Sequence, residues 1–389
     1  MALPATMPAT VNPRVRARTT RQAPASVSVE WLQRADAIAA IEAEWRRLEA
    51  SVTHRTVLST FDYNAAWYRW YAGGYGGDAL VGVARRQGQL VGVAPLVRRT
   101  RRVGKIPLRC IEFAPHEAYA GEFLVDDDAP DVIAAFVDSL ATTTPFDLIC
   151  LNDVDLGSER FASLHESVVR HGLGVDVTNH PNAMVDLRGG YDTYFRARTS
   201  HFRQAVRRMA RRIEETGPSA TEGVMLARGL DTLDDTVARM IAVTEASHKL
   251  NGARLPDIHR GFLGELAHRF GPRGMLALPI LRIGSRDAAF VYGLVERGCF
   301  YDITLSYDEA FAQLRAGTHL IQRMLQDFAA RGVHTVVSHG AHEYKQHWAT
   351  AFLPSPRLFL FARTPRAVAT RAIRFGMAPV WRRLGAAEP

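Results

Sequence analysis

Residues able to do chemistry concentrate between Gly298 and Trp348. In GCFYDITLSYDEAF, Cys299, Tyr301, Ile303 and Leu305 alternate with Phe300, Asp302 and Thr304, the two-residue period of a strand with unlike faces. Asp302 interrupts an otherwise apolar and aromatic run, where an ionised carboxylate is costly without a partner or a task. It is the first choice for a proton acceptor, and a salt-bridged structural aspartate is the alternative. Tyr301 and Tyr307 flank it and either order a substrate, give a proton to a leaving group, or simply pack. His339, beside Gly340, is a second choice of base, because an imidazole titrates near neutrality. His334, His339, His342 and His347 invite a metal reading, but no pair has the i, i+4 spacing of a helical zinc site, so no metal is expected.

A helix must lie between these groups. Leu320, Ile321, Met324, Leu325 and Phe328 form an apolar stripe at helical spacing that starts after Gly317 and stops at Gly332. The turn into that helix leaves the N–H groups of Gly317, Thr318 and His319 without intrahelical partners, and Arg315 adds a full charge. Free N–H groups and the helix dipole together attract anions. A phosphate-bearing acyl carrier would dock here.

Four stretches carry a resemblance: STFDYNAAWYRWYAGG followed by LVGVAPLV, then TSHFRQAVRRMARRIEETG, then YDITLSYDEAFAQLRAGTHLIQRML, then HEYKQHW. In order and spacing the chain resembles the GNAT acyltransferase superfamily. More closely it is similar to the double-GNAT branch of cellulose-biosynthesis-associated acetyltransferase-like proteins, and more distantly to the Fem aminoacyltransferases. The resemblance implies an α/β (α+β) fold of two tandem GNAT-like domains, each a mixed, mainly antiparallel sheet flanked by helices. It implies an N-acyltransferase whose donor is acyl-CoA or an acyl-phosphopantetheine carrier protein. The usual glycine-rich carrier loop is reduced here to RAGT, so the choice between those carriers stays open. By resemblance alone, the oxyanion donor is a backbone N–H near Ile303, Thr304 and Leu305. By the same route Lys345 is the counterpart of a late Fem lysine that stabilises developing negative charge, although Glu343 could instead pair with it.

Direct attack of an amine on a thioester needs both reactants held together, a proton acceptor, an oxyanion donor and a carrier anchor. It needs no covalent nucleophile, and the chain has no G-x-S-x-G elbow. Two other readings compete: an aminoacyl-tRNA donor, as in Fem ligases, and a non-catalytic double-GNAT module that binds a carrier protein or biosynthetic complex. The missing heptad arm speaks against the first, and the degenerate RAGT loop favours the second.

The chain of 389 residues is long for one core. Its 47% apolar and 23% charged composition is that of an ordinary globular protein, and no apolar run reaches the roughly 18 residues of a membrane span. Cys110, Cys150 and Cys299 lie far apart in apolar runs and read as reduced thiols, which suits the cytoplasm. The net charge of +8 favours an anionic partner, possible candidates being carrier phosphates or an acidic acyl carrier protein. Neither DNA nor a membrane is expected as a partner.

Residues 1–26, mixing Pro, Arg and Thr, read as a disordered tail. Residues 27–188 read as a degenerate first domain. In it Gln87-Gly88 turns a hairpin, RRTRRVGK makes a basic loop, and Trp67, Trp70 and Tyr71 give one helix an aromatic side, either a wall for an acyl chain or core packing. Residues 189–363 read as the active domain. It begins with an arginine-rich helix capped by Ser200 that could receive an acidic carrier or RNA, and LFLFA is its closing strand. Residues 364–389 read as a basic helix packed on that second domain.

Overall fold

Gln87 and Gly88 both take positive φ (52° and 82°), the conformation a two-residue hairpin turn needs, and they join the first two long strands of the protein. The computed structural model describes residues 26–74, 76–114, 121–152, 158–226, 231–250 and 252–376. The expected tail and the end of the expected C-terminal helix lie outside that range.

The first half runs β1 (Val27–Leu32), α1 (Ala35–Ala40), α2 (Glu42–Ser51), α3 (Phe61–Tyr71), β2 (Asp78–Arg86), β3 (Gln89–Val103) and β4 (Ile106–Phe113). It continues through β5 (Leu124–Val125), α4 (Val132–Thr143), β6 (Leu148–Asn152), α5 (Glu159–His171) and β7 (Gly174–Asn179). Thr60 caps α3 by accepting from the Tyr63 N–H. The arginines of RRTRRVGK are not a loop. They continue β3 and pair with β4, because Glu112 on β4 takes Arg101 at 2.9 Å and Arg99 at 3.3 Å. Opposite charges facing each other across a ladder keep such a basic segment extended.

The second half runs β8 (Asn182–Asp186), α6 (Gly190–Arg196), α7 (Ser200–Thr216), β9 (Ser219–Met225), α8 (Leu233–Glu245), α9 (Asp257–Phe270), β10 (Leu276–Ile283), β11 (Arg286–Glu296) and β12 (Cys299–Tyr307). Then come α10 (Ala316–Ala330), β13 (Thr335–Ser338), α11 (Glu343–Gln346), β14 (Ala351–Leu353), β15 (Pro356–Phe361) and α12 (Pro365–Arg371). The cap of α7 is Thr199, one residue before the expected Ser200; its side chain accepts from Phe202.

Two mixed, mainly antiparallel sheets result. The first has the order β1-β2-β3-β4-β6-β15-β7 with β5 on β3, and the second β14-β8-β13-β12-β11-β10-β9. Only β4–β6 and β12–β13 pair in parallel among the described strands. The sheets divide the chain differently from the expected boundaries at 188 and 363. β8 lies in the second sheet, and β15, which carries LFLFA, lies between β6 and β7 in the first. Alternating apolar strands look alike whichever sheet receives them. α12 follows β15 and packs on the first half, with Arg371 2.6 Å from Asp176, not on the second as expected.

Helices α4 and α5 cover the outer face of the first sheet, and α6, α7 and α10 cover the outer face of the second. Between the sheets one continuous core joins Trp45, Trp67 and Tyr68 of the first half to Met240, Phe262, Phe270 and Tyr292 of the second. Polar clamps close the same seam. Buried Asp62 on α3 accepts from Arg46 (2.7 Å), Arg269 (3.1 Å) and Arg273 (2.6 Å), and Arg55 meets Glu296 at 2.6 Å. The two halves are therefore joined by both apolar packing and ion pairs. No helix among the described residues is long and apolar enough to cross a membrane.

β15 is held in the first sheet partly by Asp147. Its carboxylate accepts from the Arg109 backbone (2.9 Å) and guanidinium (3.0 Å) and from Thr364 Oγ1 (2.7 Å), just after β15. Burial opposes its ionisation, but these bonds win and hold it down at about 2. A depressed carboxylate stabilises the fold above its unfolded pKa and loses that contribution as pH falls through the folded one. Acid titration followed by circular dichroism should show stability falling between about pH 4 and pH 2, and Asp147→Asn should remove on the order of 1–2 kcal/mol of that dependence. An Asp147→Asn profile that overlays the parent curve would refute this.

Candidate active site

Strands β12 and β13 run parallel for three residue pairs, ending at Tyr301–Val337, and then part. At the same point β12 bulges against β11: Thr304 pairs with Tyr292 and Asp302 with Gly293, leaving Ile303 without a register partner. Gly293 is required here. A Cβ on it would come within 2.3 Å of the Phe300 ring and 2.4 Å of the Tyr301 carbonyl. The bulge and the gap together leave a short length of β12 outside regular pairing.

Asp302 stands where the strands separate. Its carboxylate accepts hydrogen bonds from Ser338 Oγ and from the His339 N–H, the latter at 3.2 Å, so it ties the end of β13 back to β12. Lys345, buried on α11, donates to the His339 carbonyl. Burial lowers its pKa, and the negative charge of Asp302 works the other way. Asp302, Ser338, His339 and Lys345 thus form one polar cluster behind the gap.

In front of the gap lies a cleft of about 700 Å³, lined by Leu305, Ser306 and Tyr307 on one wall and by Arg315, Ala316, Gly317 and Thr318 on another. Tyr344 and His342 close it, and His248 and Lys249 form its rim. Arg315 is exposed, makes no ion pair among the described residues, and caps α10 with a left-handed backbone (φ 53°, ψ 43°). A residue with a Cβ resists that conformation by roughly 1–2 kcal/mol. The free N–H groups at the start of α10 are one residue earlier than expected, on Ala316, Gly317 and Thr318. The His319 N–H is already bonded to the Arg315 carbonyl at 3.1 Å. The His319 side chain faces a separate recess beside Glu214, so it leaves the candidate anion site. Nothing in the fold demands glycine at 317, where an added Cβ would make only ordinary contact with Tyr307 at 3.7 Å.

The other candidates divide. Tyr307 lines the cleft, with its ring 5.8 Å from that of His248. Tyr301 packs against the core between the sheets, and burial raises its hydroxyl pKa far above the usual range, so it lines neither cleft of this site. His339 is pushed down to about 4 by burial and by the charges of Lys345 and Arg357. It stays neutral near pH 7 and is too weak a base to draw a proton from an ammonium; its contributions come through its backbone. Asp302 and Lys345 are buried and line neither cleft; the Lys345 ammonium lies 5.7 Å from the centroid of the Tyr344 ring. Ile303 and Thr304 turn into a second cleft of about 460 Å³, lined by Tyr63, Trp67 and Tyr71 of α3 and by His259 and Phe262 of α9.

Lys249 borders both clefts. It is an exposed residue whose ammonium donates to the Leu305 carbonyl at 2.7 Å. Burial of that end lowers its pKa, with Asp302 opposing. The sequence reading assigned Lys249 and Tyr63 no role, and offered Tyr71 only with Trp67 and Trp70 as a wall for an acyl chain or as core packing. The available signal was the polar run SHKLNGARLPD between two helices, too long to be a simple turn. The thiols of Cys110 and Cys150 are buried in the first half and pushed up to about 12 and about 11, which makes them inert. No group of three or more metal-ligating side chains is placed to hold an ion among the described residues.

Residues 200–346, which hold the lining of both clefts except His347 and the α3 wall of the second, match the family model of the acetyltransferase (GNAT) domain. This stretch is similar to a GNAT domain. A FemX crystal structure superposes with a TM-score of 0.54 at 12% identity, over 82% of this chain and 96% of that one. The C-terminal domain of a candidate lysylphosphatidylglycerol synthetase from Agrobacterium fabrum superposes with a TM-score of 0.51 at 14% identity, over 88% and 98%. At such identities the likeness speaks for the fold, a GNAT-like α/β architecture that takes in both halves. No curated protein sequence matches the chain.

Proposed function

We propose that the protein is an N-acyltransferase that moves an acyl group from a thioester carrier, acyl-CoA or an acyl carrier protein, to an amine by direct attack. One observation carries this reading: the cleft joins an arginine with no ion pair among the described residues and the open end of α10 to Leu305–Tyr307 of β12, just past the bulge at Ile303 and the point where β13 parts. Anions are stabilised at the first and a developing oxyanion at the second. On this reading Ile303 to Leu305 supply the oxyanion donor. Asp302 and Lys345 fix the gap and its field, and a proton leaves by way of Tyr307 or solvent. The finer resemblance, to the cellulose-biosynthesis-associated branch, rests on the sequence motifs and is part of the same proposal.

Arg207, Arg208, Arg211 and Arg212 are exposed on α7 and make no ion pair with another described residue. They favour a macromolecular anion as the carrier, an acidic carrier protein first and aminoacyl-tRNA second. Loss of transfer on ribonuclease treatment would select the latter.

Thiol release from a panel of acyl-CoA and acyl-carrier thioesters with mixed amines tests the proposal; no release from any donor would sink it. Arg315→Glu should raise the donor KM by at least about tenfold with little change in turnover at saturating donor, the pattern of a lost anchor. Arg315→Gly should weaken donor binding likewise and yet raise stability by about 1 kcal/mol, since it relieves the left-handed backbone. An unchanged donor KM in both variants would remove the anchor.

A further inference from the structure

We infer that the second cleft is the acceptor site and that it takes an amine bearing an aromatic or similarly flat apolar group. The inference rests on the acyl-transfer reading. Ile303 and Thr304 wall this cleft, and the next residues of the same strand, Leu305 to Tyr307, wall the donor cleft. Lys249 borders both. The two spaces therefore meet along the length of β12 outside regular pairing, where a thioester brought from one side can be reached from the other.

The walls define what fits. Trp67 and Tyr71 lie with ring centroids 5.4 Å apart, Tyr71 and Phe262 5.1 Å, and Tyr63 and Phe262 5.9 Å, so the aromatic surface is locked by its own packing before any ligand arrives. The Tyr71 hydroxyl is 2.7 Å from His259 Nδ1, which pins α3 of the first half to α9 of the second and fixes the imidazole at the wall. None of the described residues lining the cleft is acidic. A polyamine or a sugar amine would find no carboxylate to pair with and little to hydrogen-bond, whereas a ring would exchange water for ring contacts. The Lys249 ammonium at the shared throat also disfavours a protonated amine there and favours the free base that attack requires. In the step itself, the amine nitrogen bonds to the acyl carbon, the carbon–sulfur bond breaks, and the thiolate takes up the proton the nitrogen releases, giving amide and thiol.

Binding and transfer are measured separately. Calorimetric titration without donor should show phenethylamine and tryptamine binding at least about tenfold more tightly than glucosamine or putrescine. Trp67→Ala should abolish that preference. Because Trp67 also packs in the core, Leu250→Trp, which fills the cleft from the connection between α8 and α9, is the second variant. It should lose arylalkylamine binding while still binding coenzyme A. Arylalkylamine binding that Leu250→Trp removes, with no thiol release from any donor, supports the ligand class and refutes only the transfer reading. Thiol release with glucosamine or putrescine and with no arylalkylamine, or arylalkylamine binding that Leu250→Trp leaves intact, overturns the inference.

Discussion

Asp62→Ala should lower the stability of the protein by about 2–4 kcal/mol, somewhat below the roughly 3–5 typical when one partner of a fully buried ion pair is removed. The carboxylate is 5% exposed and holds Arg46, Arg269 and Arg273 together. Its loss would leave Arg273 without this partner and Arg46 and Arg269 with only Glu42 and Glu265, and the discount reflects those remaining pairs and the solvent each arginine still reaches. Burial works against ionised Asp62, but Arg46 foremost, with Arg269 and Arg273, keeps its pKa below the ordinary value. The clamp is thus charged at neutral pH, and it joins α2 and α3 to α9. Chemical denaturation should show a lower midpoint. An unchanged m-value would mean that both halves still unfold together, and a reduced one that the seam has come apart. A variant as stable as the parent would mean that the seam is held by the apolar core alone.

Lys345→Ala should lower turnover at saturating substrates by at least about tenfold, the scale of one lost charge-stabilising contact, and Asp302→Asn should do so comparably. The two act on the same few atoms. Lys345 holds the His339 carbonyl, Asp302 holds the His339 N–H and Ser338, and both sit behind the gap between β12 and β13. Their effects should accordingly be less than additive in the double variant, as expected of neighbours in one network. Lys345→Arg, which keeps the charge but not the fit, should fall between. If both single variants kept parental rates with only a lower melting temperature, the cluster would be scaffolding without a part in transfer.

Much of this was readable from local pattern. The stripe from Leu320 to Phe328 gave the helix whose start faces the cleft, and Arg315 beside it needed only the rule that helix starts attract anions. Gln87-Gly88 gave its hairpin because the turn's chemistry is contained in two residues. What escaped was set at long range. VDVTN and LFLFA both read as strands, and only the assembled sheets decide that β15 lies beside β7. RRTRRV reads as a loop until Glu112 is known to stand across from it. Tyr63 and Tyr71 precede Ile303 by more than half the chain, so no local window joins them in one cleft. The one-residue error in the anion site came from a finer cause: Arg315 takes the cap, and its carbonyl uses up the His319 N–H.

The insertion of β15 between β6 and β7 bears on how the protein is made. A ribosome delivers β6 and β7 long before residues 356–361 emerge, so on this pairing the first sheet keeps a vacant slot until the second half is almost fully translated. Pairing of such distant segments is slow, and an open strand edge invites association with other chains in the meantime. A gene fragment stopping near residue 188 would encode an incomplete β-sheet, and restoring residues 356–361 on a short tether is the modification by which that fragment should become a soluble product.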